Sequence, residues 1–185
     1  MAKQLFGTDG IRGIPGEYPL DDATLDKVGR ALGQHVSAEA KRHSSKPRVL
    51  IGRDTRESGL HMAERLAQGL DAAGASPVSA GVLTTPGVAW LVHHEGFDAG
   101  VVISASHNPY HDNGMKLISS SGMKFPDSVE AHLETVILSE NGATPAANSL
   151  RLIEFADYRG DSNLHEDYLA GLRQSVFPGA MLAGL

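Results

Sequence analysis

The stretch Ala99-Gly100-Val101-Val102-Ile103-Ser104-Ala105-Ser106-His107-Asn108-Pro109, returning through Asp112-Asn113-Gly114 into Met115-Lys116-Leu117-Ile118, decides the reading of this chain. The apolar run at 99–103 is too short for a helix and has no polar face, so it reads as a buried strand. It empties into a loop of hydroxyl, imidazole and amide side chains ahead of a proline. A serine placed there, just beyond a buried strand, suits a rigidly held nucleophile. The alternative is a turn in which Ser, His and Asn satisfy backbone groups.

Outward from that strand the pattern alternates. Leu25, Val28, Leu32 and Val36 recur at helical spacing between Asp21 and about Ala40. A polar linker, 41–47, leads to a short apolar run at 49–51. Leu60, Ala63, Leu66 and Leu70 mark a second helix over 57–73, with Gly74 in the usual place for a C-cap. A strand at 77–82, a helix from Pro86 to His94, a strand at 115–118 and a helix at 126–139 complete the series. Short strands alternating with helices predict an α/β sandwich with a largely parallel sheet. In such sheets ligands sit beyond the carboxyl ends of strands. The loops 52–59, 84–86 and 104–114 fall there and are expected to converge on one face.

Composition narrows the class. The 185 residues carry a formal net charge of −6, 41% hydrophobic residues, 21% charged residues and no cysteine. That mix fits a globular core and excludes a disulfide scaffold, a thiolate zinc site and a cysteine nucleophile. Residues 1–92 hold 11 Lys/Arg against 10 Asp/Glu, and residues 93–185 hold 5 against 12. Bulk charge therefore draws no nucleic acid, and any bound anion must meet a local cluster. No run approaches the ~20 apolar residues that would span a bilayer. Met1 to Gly7 lacks a signal-peptide pattern. No membrane partner is expected, and the expected address is the cytoplasm.

The end of the chain reads differently. Residues 141–150 are small and polar and look like a surface connection. Leu164, Tyr168, Leu169, Leu172 and Val176 return to helical spacing, Phe177-Pro178-Gly179 breaks it, and an apolar segment opens before Leu185. Two units are expected: a domain over 1–150, and over 151–185 a linker, a helix and the beginning of a truncated second domain.

Two further motifs accompany the serine loop. Phe6-Gly7-Thr8-Asp9-Gly10-Ile11-Arg12-Gly13 allows a tight backbone from which Arg12 projects a fork matched to phosphate oxygens. A glycine-rich first hairpin with a solvated Arg is the other reading. Gly52-Arg53-Asp54-Thr55-Arg56-Glu57-Ser58-Gly59 places two arginines at a strand's carboxyl end ahead of a helix N-terminus, an anion-favouring corner. Against it stands an Arg53–Asp54 surface pair with Thr55 or Ser58 as N-cap. A hydrolase triad fits poorly, because there is no G-x-S-x-G elbow and His107 is adjacent to Ser106. His61, His111 and the pair His93-His94 lack the spacing of a metal site.

Taken together, F-G-T-D-G-I-R-G, G-R-D-T-R, I-S-A-S-H-N-P and D-N-G-x-K, in this order, resemble the α-D-phosphohexomutases over residues 3–140. The run Ile103-Ser104-Ala105-Ser106 resembles the family's glucosamine branch. The resemblance implies a three-layer α/β/α sandwich with a mostly parallel mixed sheet, and the start of a second similar domain. It implies a phosphoserine enzyme in which Ser106 passes a phosphoryl group to glucosamine 6-phosphate. A 1,6-bisphosphate forms, and the other phosphate returns to the serine to leave glucosamine 1-phosphate. Such transfer needs positioning and charge neutralisation more than covalent help. Arg12 and Lys116 are the implied cations around the phosphate, Lys116 also a candidate for proton transfer. His107 is implied as catalytic, holding the loop with Asn108, and Asn108, Thr8 and Arg53 as substrate- or phosphate-binding residues.

The family's Mg2+ is held by the phosphoserine, here Ser106 through its phosphate, and by a D-G-D-x-D-R loop. That loop is absent, and Asp157, Asp161 and Asp167 lack its spacing. The G-E-x-S-G sugar loop and the late phosphate loop are absent too. The 185-residue piece is therefore expected to be inactive alone. Implied partners are a phosphosugar substrate and a sugar 1,6-bisphosphate activator, with a homodimer allowed by the family's habits. A mannose- or glucose-specific mutase of the same family, and a phosphosugar-binding module without turnover, are the alternatives.

Overall fold

The computed structural model describes residues 5–40, 46–139 and 162–176. The surface connection expected at 141–150 and the apolar segment expected after Pro178 lie outside the described residues. Ten elements follow in order: β1 (Ile11–Gly13), α1 (Asp22–Ala40), β2 (Arg48–Arg53), α2 (Ser58–Ala72), β3 (Ser76–Val82), α3 (Thr85–His94), β4 (Ala99–Ile103), β5 (Asn113–Ser119), α4 (Asp127–Ser139) and α5 (Ser162–Val176).

Local chemistry starts and stops these elements where the sequence pattern places them. Asp21 opens α1, its carboxylate accepting from the N–H and the hydroxyl of Thr24 at 3.0 and 2.7 Å. Thr84 caps α3 by accepting from the N–H of Gly87 at 3.3 Å, with Pro86 in the first turn. Gly74, at φ +85°, ends α2. The glycine-rich opening, which also reads as a hairpin, supplies the short strand β1, but its partner is the distant β5.

The strands form one sheet in the order β1-β5-β4-β2-β3. β2 runs parallel to β3 and to β4, while β5 is antiparallel to both β4 and β1. Four strands therefore share one direction and β5 alone opposes them, a mostly parallel mixed sheet. Alternation along the strands fills both faces. Val49, Ile51, Val101, Ile103, Met115 and Leu117 join α1, α2 and α4 in one apolar cluster. Leu50, Val102 and Ile118 join Val88, Leu91 and Val92 of α3, with Phe97 and Leu164 of α5, in the other. The result is the expected three-layer α/β/α sandwich.

Register fixes where the functional edge lies. Arg53 pairs with both Val82 and Ile103, and Ile103 pairs with Met115. The carboxyl ends of β2, β3 and β4 and the start of β5 therefore share one edge. Among the described residues no helix is long and apolar enough to cross a membrane.

Candidate active site

The loop after β4 is shaped by one unusual backbone. Ser106 has φ +55°, and it is the one non-glycine residue with positive φ among the described residues. For an L-residue that conformation costs about 1–3 kcal/mol and persists only when its surroundings hold it. Both flanking peptide groups are held. The Ser106 N–H donates to Ser104 Oγ at 3.0 Å, and the Ser106 carbonyl accepts from Arg56 Nη2 at 3.0 Å. Ser104 Oγ in turn donates to Asp54 Oδ2 at 2.7 Å. The Ser106 side chain is left at the surface of an open cleft of about 950 Å³, lined also by Pro15, residues 54–58, Ser104, Asn108, Tyr110 and His111.

Loops 54–57 and 104–112 thus meet, as their places beyond adjacent parallel strands require. The third expected loop does not join them. Residues 84–86 share the sheet edge, but β3 lies on the far side of β2 from β4, and Thr84 is engaged as the cap of α3.

The other wall comes from the opening motif. The N–H of Gly7 donates to the carbonyl of Gly10 at 2.8 Å, closing a turn with Thr8 and Asp9 at its tip. Gly10 has φ +88°, and a methyl group there would overlap the carbonyl oxygen of Met115. Glycine thus lets the turn lie against β5. Asp9 then reaches two cations, Lys116 Nζ at 2.6 Å and Arg12 Nη2 at 3.1 Å. The hydrogen bond from Lys116, reinforced by the charges of Lys116 and Arg12, holds the Asp9 carboxyl below the usual carboxylate range against a smaller push from burial. Arg12 Nη1 also donates to Asn108 Oδ1 at 3.4 Å, and Asn108 Nδ2 donates to Asp112 Oδ2 at 3.0 Å. The first motif and the serine loop are thereby linked.

A scan against protein families matches residues 3–143 to the phosphoglucomutase/phosphomannomutase α/β/α domain I. The chain belongs to this family. A phosphoglucosamine mutase of Solibacter usitatus is 53% identical over 152 residues, 82% of this chain and 33% of the relative. One of Koribacter versatilis is 47% identical over 174 residues, 94% and 36% of the two chains. A solved phosphoglucomutase/phosphomannomutase family protein from Burkholderia thailandensis superposes with TM-score 0.60 at 30% identity, covering 75% of this chain and 30% of that one. The Paramecium phosphoglucomutase pp63/parafusin shares the fold, with TM-score 0.62 at 20% identity over 75% of this chain and 26% of its own. The chain spans about a third of the length of the curated relatives it matches.

The residues singled out in the sequence fall into three groups. Ser106 and Asn108 line the cleft, and Arg12 touches Asn108. Lys116 joins them through Asp9, on the same side of the sheet as Arg12. Thr8 and His107 are exposed and make no hydrogen bond or ion pair among the described residues. Arg53 stands apart: it is 8% exposed, its Nη1 donates to the Asp54 carbonyl at 3.4 Å, and its aliphatic stem lies against Gly59 of α2. As the last residue of β2, in phase with Val49 and Ile51, it points to the α1/α2 face. The surface pair weighed for Asp54 also forms differently, because Asp54 pairs with Arg56 rather than Arg53.

Three residues at the site escaped the sequence reading as participants, Asp9, Asp54 and Ser104, and Arg56 entered it only as one of two arginines in an anion-favouring corner. The signal for Ser104 was its place two residues before Ser106. That for Arg56 was its place beyond the strand, where side chains cross to the neighbouring loop. No group of three or more His, Cys, Asp or Glu that could hold a metal exists among the described residues. These side chains do not make a metal site by themselves.

Proposed function

We propose that this chain is the first domain of a phosphoglucosamine mutase and carries its phosphoryl group on Ser106. The observation that supports this most is Ser106 itself, strained at φ +55°, clamped on both sides and open to the cleft. Its Oγ accepts the phosphoryl group from a sugar 1,6-bisphosphate and gives it to glucosamine 6-phosphate. The bisphosphate formed turns over and returns its other phosphate to Oγ, leaving glucosamine 1-phosphate. A phosphoserine brings close to two negative charges at neutral pH, and Arg12 and Lys116 are the cations that answer them. Arg12 is suited to this, since among the described residues two of its five donors are engaged. In this reading Lys116 handles the proton of the sugar hydroxyl, while His107, Asn108 and Thr8 serve loop and phosphate, and Arg53, turned toward α2, takes no part. Mg2+ belongs to the full-length enzyme and offsets the phosphate charge when bound, with the Ser106 phosphate as this chain's one ligand. Residues 1–150 form the domain and 151–185 lead into the next. A cytoplasmic address and a homodimer belong to the same reading.

The deciding measurement is made on the full-length product of the gene. Intact mass shows one phosphoryl group on the purified protein, absent from Ser106→Ala, and Ser106→Ala loses at least a thousandfold in kcat. Full activity of Ser106→Ala with a trace of bisphosphate overturns the phosphoserine route. Parallel assays with glucosamine, mannose and glucose 6-phosphates decide the sugar; a preference for mannose or glucose places the chain in a sister branch.

A further inference from the structure

Arg56 lies in the cleft wall, yet its side chain is only 11% exposed. All five of its N–H donors are engaged. Nε donates to Asp54 Oδ2 at 3.1 Å. Nη1 donates to the carbonyls of Pro109 and Asp112 at 2.6 and 3.0 Å. Nη2 donates to the carbonyls of Ser106 and Asn108 at 3.0 and 2.9 Å. Four carbonyl oxygens of one seven-residue stretch therefore converge on a single guanidinium. Without a cation at their centre these dipoles repel one another, so the loop has no reason to adopt this shape alone. The planar fork spans all four, which a point-charge ammonium with three donors does not.

The anchor of the fork is itself fixed. Asp54 Oδ1 accepts from the Arg56 N–H at 3.0 Å, and Asp54 Oδ2 is shared between Arg56 Nε and the Ser104 hydroxyl. Ser104 Oγ then accepts from the Ser106 N–H. One chain of contacts, Arg56–Asp54–Ser104, thus holds the peptide on the amino side of Ser106. The guanidinium holds the peptide on its carboxyl side.

We propose that Arg56 is a positioning residue: it does not bind the phosphate, but fixes the Ser106 loop in its strained conformation from beneath. This rests on the reading of Ser106 as the phosphoryl carrier for its catalytic consequence, but not for its structural one. The distinction is testable because losing a phosphate-binding arginine weakens substrate binding and raises KM, whereas losing a positioning one loosens the loop and lowers kcat with KM kept.

In the 185-residue chain, amide hydrogen exchange is compared for wild type, Arg56→Lys and Arg56→Ala. The amides of Ser106, Asn108 and Asp112 are expected to exchange at least tenfold faster in both variants, with those of β2 and β4 unchanged. Unchanged loop protection overturns the proposal, and so does an equal loss across the strands, which makes Arg56 a residue of the fold at large. In the full-length product, Arg56→Lys is expected to lose at least thirtyfold in kcat, as much as Arg56→Ala, with KM for the phosphosugar within threefold of wild type. Restoration of kcat by Lys, or a raised KM with kcat intact, assigns Arg56 to anion binding and overturns the proposal. Ser104→Ala, which removes the Ser106 N–H acceptor and the link to Asp54 but leaves the Arg56 fork, is expected to show the same kcat-only loss at smaller size; wild-type kcat there breaks the chain of contacts. A wild-type enzyme with no mutase turnover and no phosphate on Ser106 removes the functional reading instead, and the exchange result then decides Arg56 alone.

Discussion

Asp9 is the residue on which the two family-matching cations meet, and its titration is open to measurement. Its carboxyl is held below the ordinary range by the Lys116 hydrogen bond and by Arg12. A carboxylate whose folded pKa lies below its unfolded value, about 3.9, contributes stability above that value. The contribution disappears as pH falls through the lower, folded pKa. The Asp9 side chain is 48% exposed, so solvent screens the effect and it is small. By NMR titration, Asp9 in wild type should have its midpoint below the ordinary carboxylate value. Lys116→Met should move that midpoint back up, and an unmoved midpoint would show that the ion pair does not form in solution. Residue types at this site were legible in the chain itself: Ser106, Arg12, Lys116 and Asn108 are all named by their motifs. The choice between Arg53 and Arg56 was not legible. Both are arginines beside Asp54, and only strand phase and the path of the opposite loop distinguish a side chain facing α2 from one reaching across the cleft.

At the scale of elements, the contact between α1 and α2 depends on two glycines that helix propensity disfavours. A methyl group at Gly29 would overlap the carbonyl oxygen of Leu66, and one at Gly69 that of Asp26. Ala at an open helical position gains about 1 kcal/mol over Gly. Here the obstructing atoms are backbone, which cannot rotate away, and overpacking of this kind costs about 1–3 kcal/mol. Gly69→Ala should therefore lower stability by about 1–2 kcal/mol in urea unfolding, reversing the sign expected from propensity. A stabilised variant would mean that the helices move apart at little expense. Apolar periodicity predicts that these helices exist and which stripe each buries. It carries no sign of how closely two stripes approach, because that depends on the partner.

Over the whole molecule, α5 is the element whose place the sequence leaves open. It packs against α3, with Gly171 against the ring of Trp90, Tyr168 at 5.9 Å from that ring, Leu164 in the core cluster and His165 Nε2 2.7 Å from the Ala80 carbonyl. Trp90 is the one tryptophan of the chain, so its emission reports this contact against a fixed stack on His94 within α3. Truncation after Leu150 should shift Trp90 emission to the red and increase its quenching by acrylamide. Thermal unfolding should stay a single cooperative transition. Loss of that transition would make α5 part of the first unit and undo the boundary proposed at 150. What the sequence by itself determined is the alternation of strands and helices, the sheet edge where loops gather, and the motifs that place the chain among the phosphohexomutases. These follow from local period and residue type, which neighbours in the chain carry. Only the tertiary structure decided that β5 runs against its neighbours, that Asp9 draws Arg12 and Lys116 together, and that Arg56 rather than Arg53 holds the Ser106 loop. The pairings of β1 with β5, of Asp9 with Lys116 and of Arg56 with the Ser106 loop join residues far apart in the chain, where strand register and the direction of a side chain, rather than its identity, decide which groups meet.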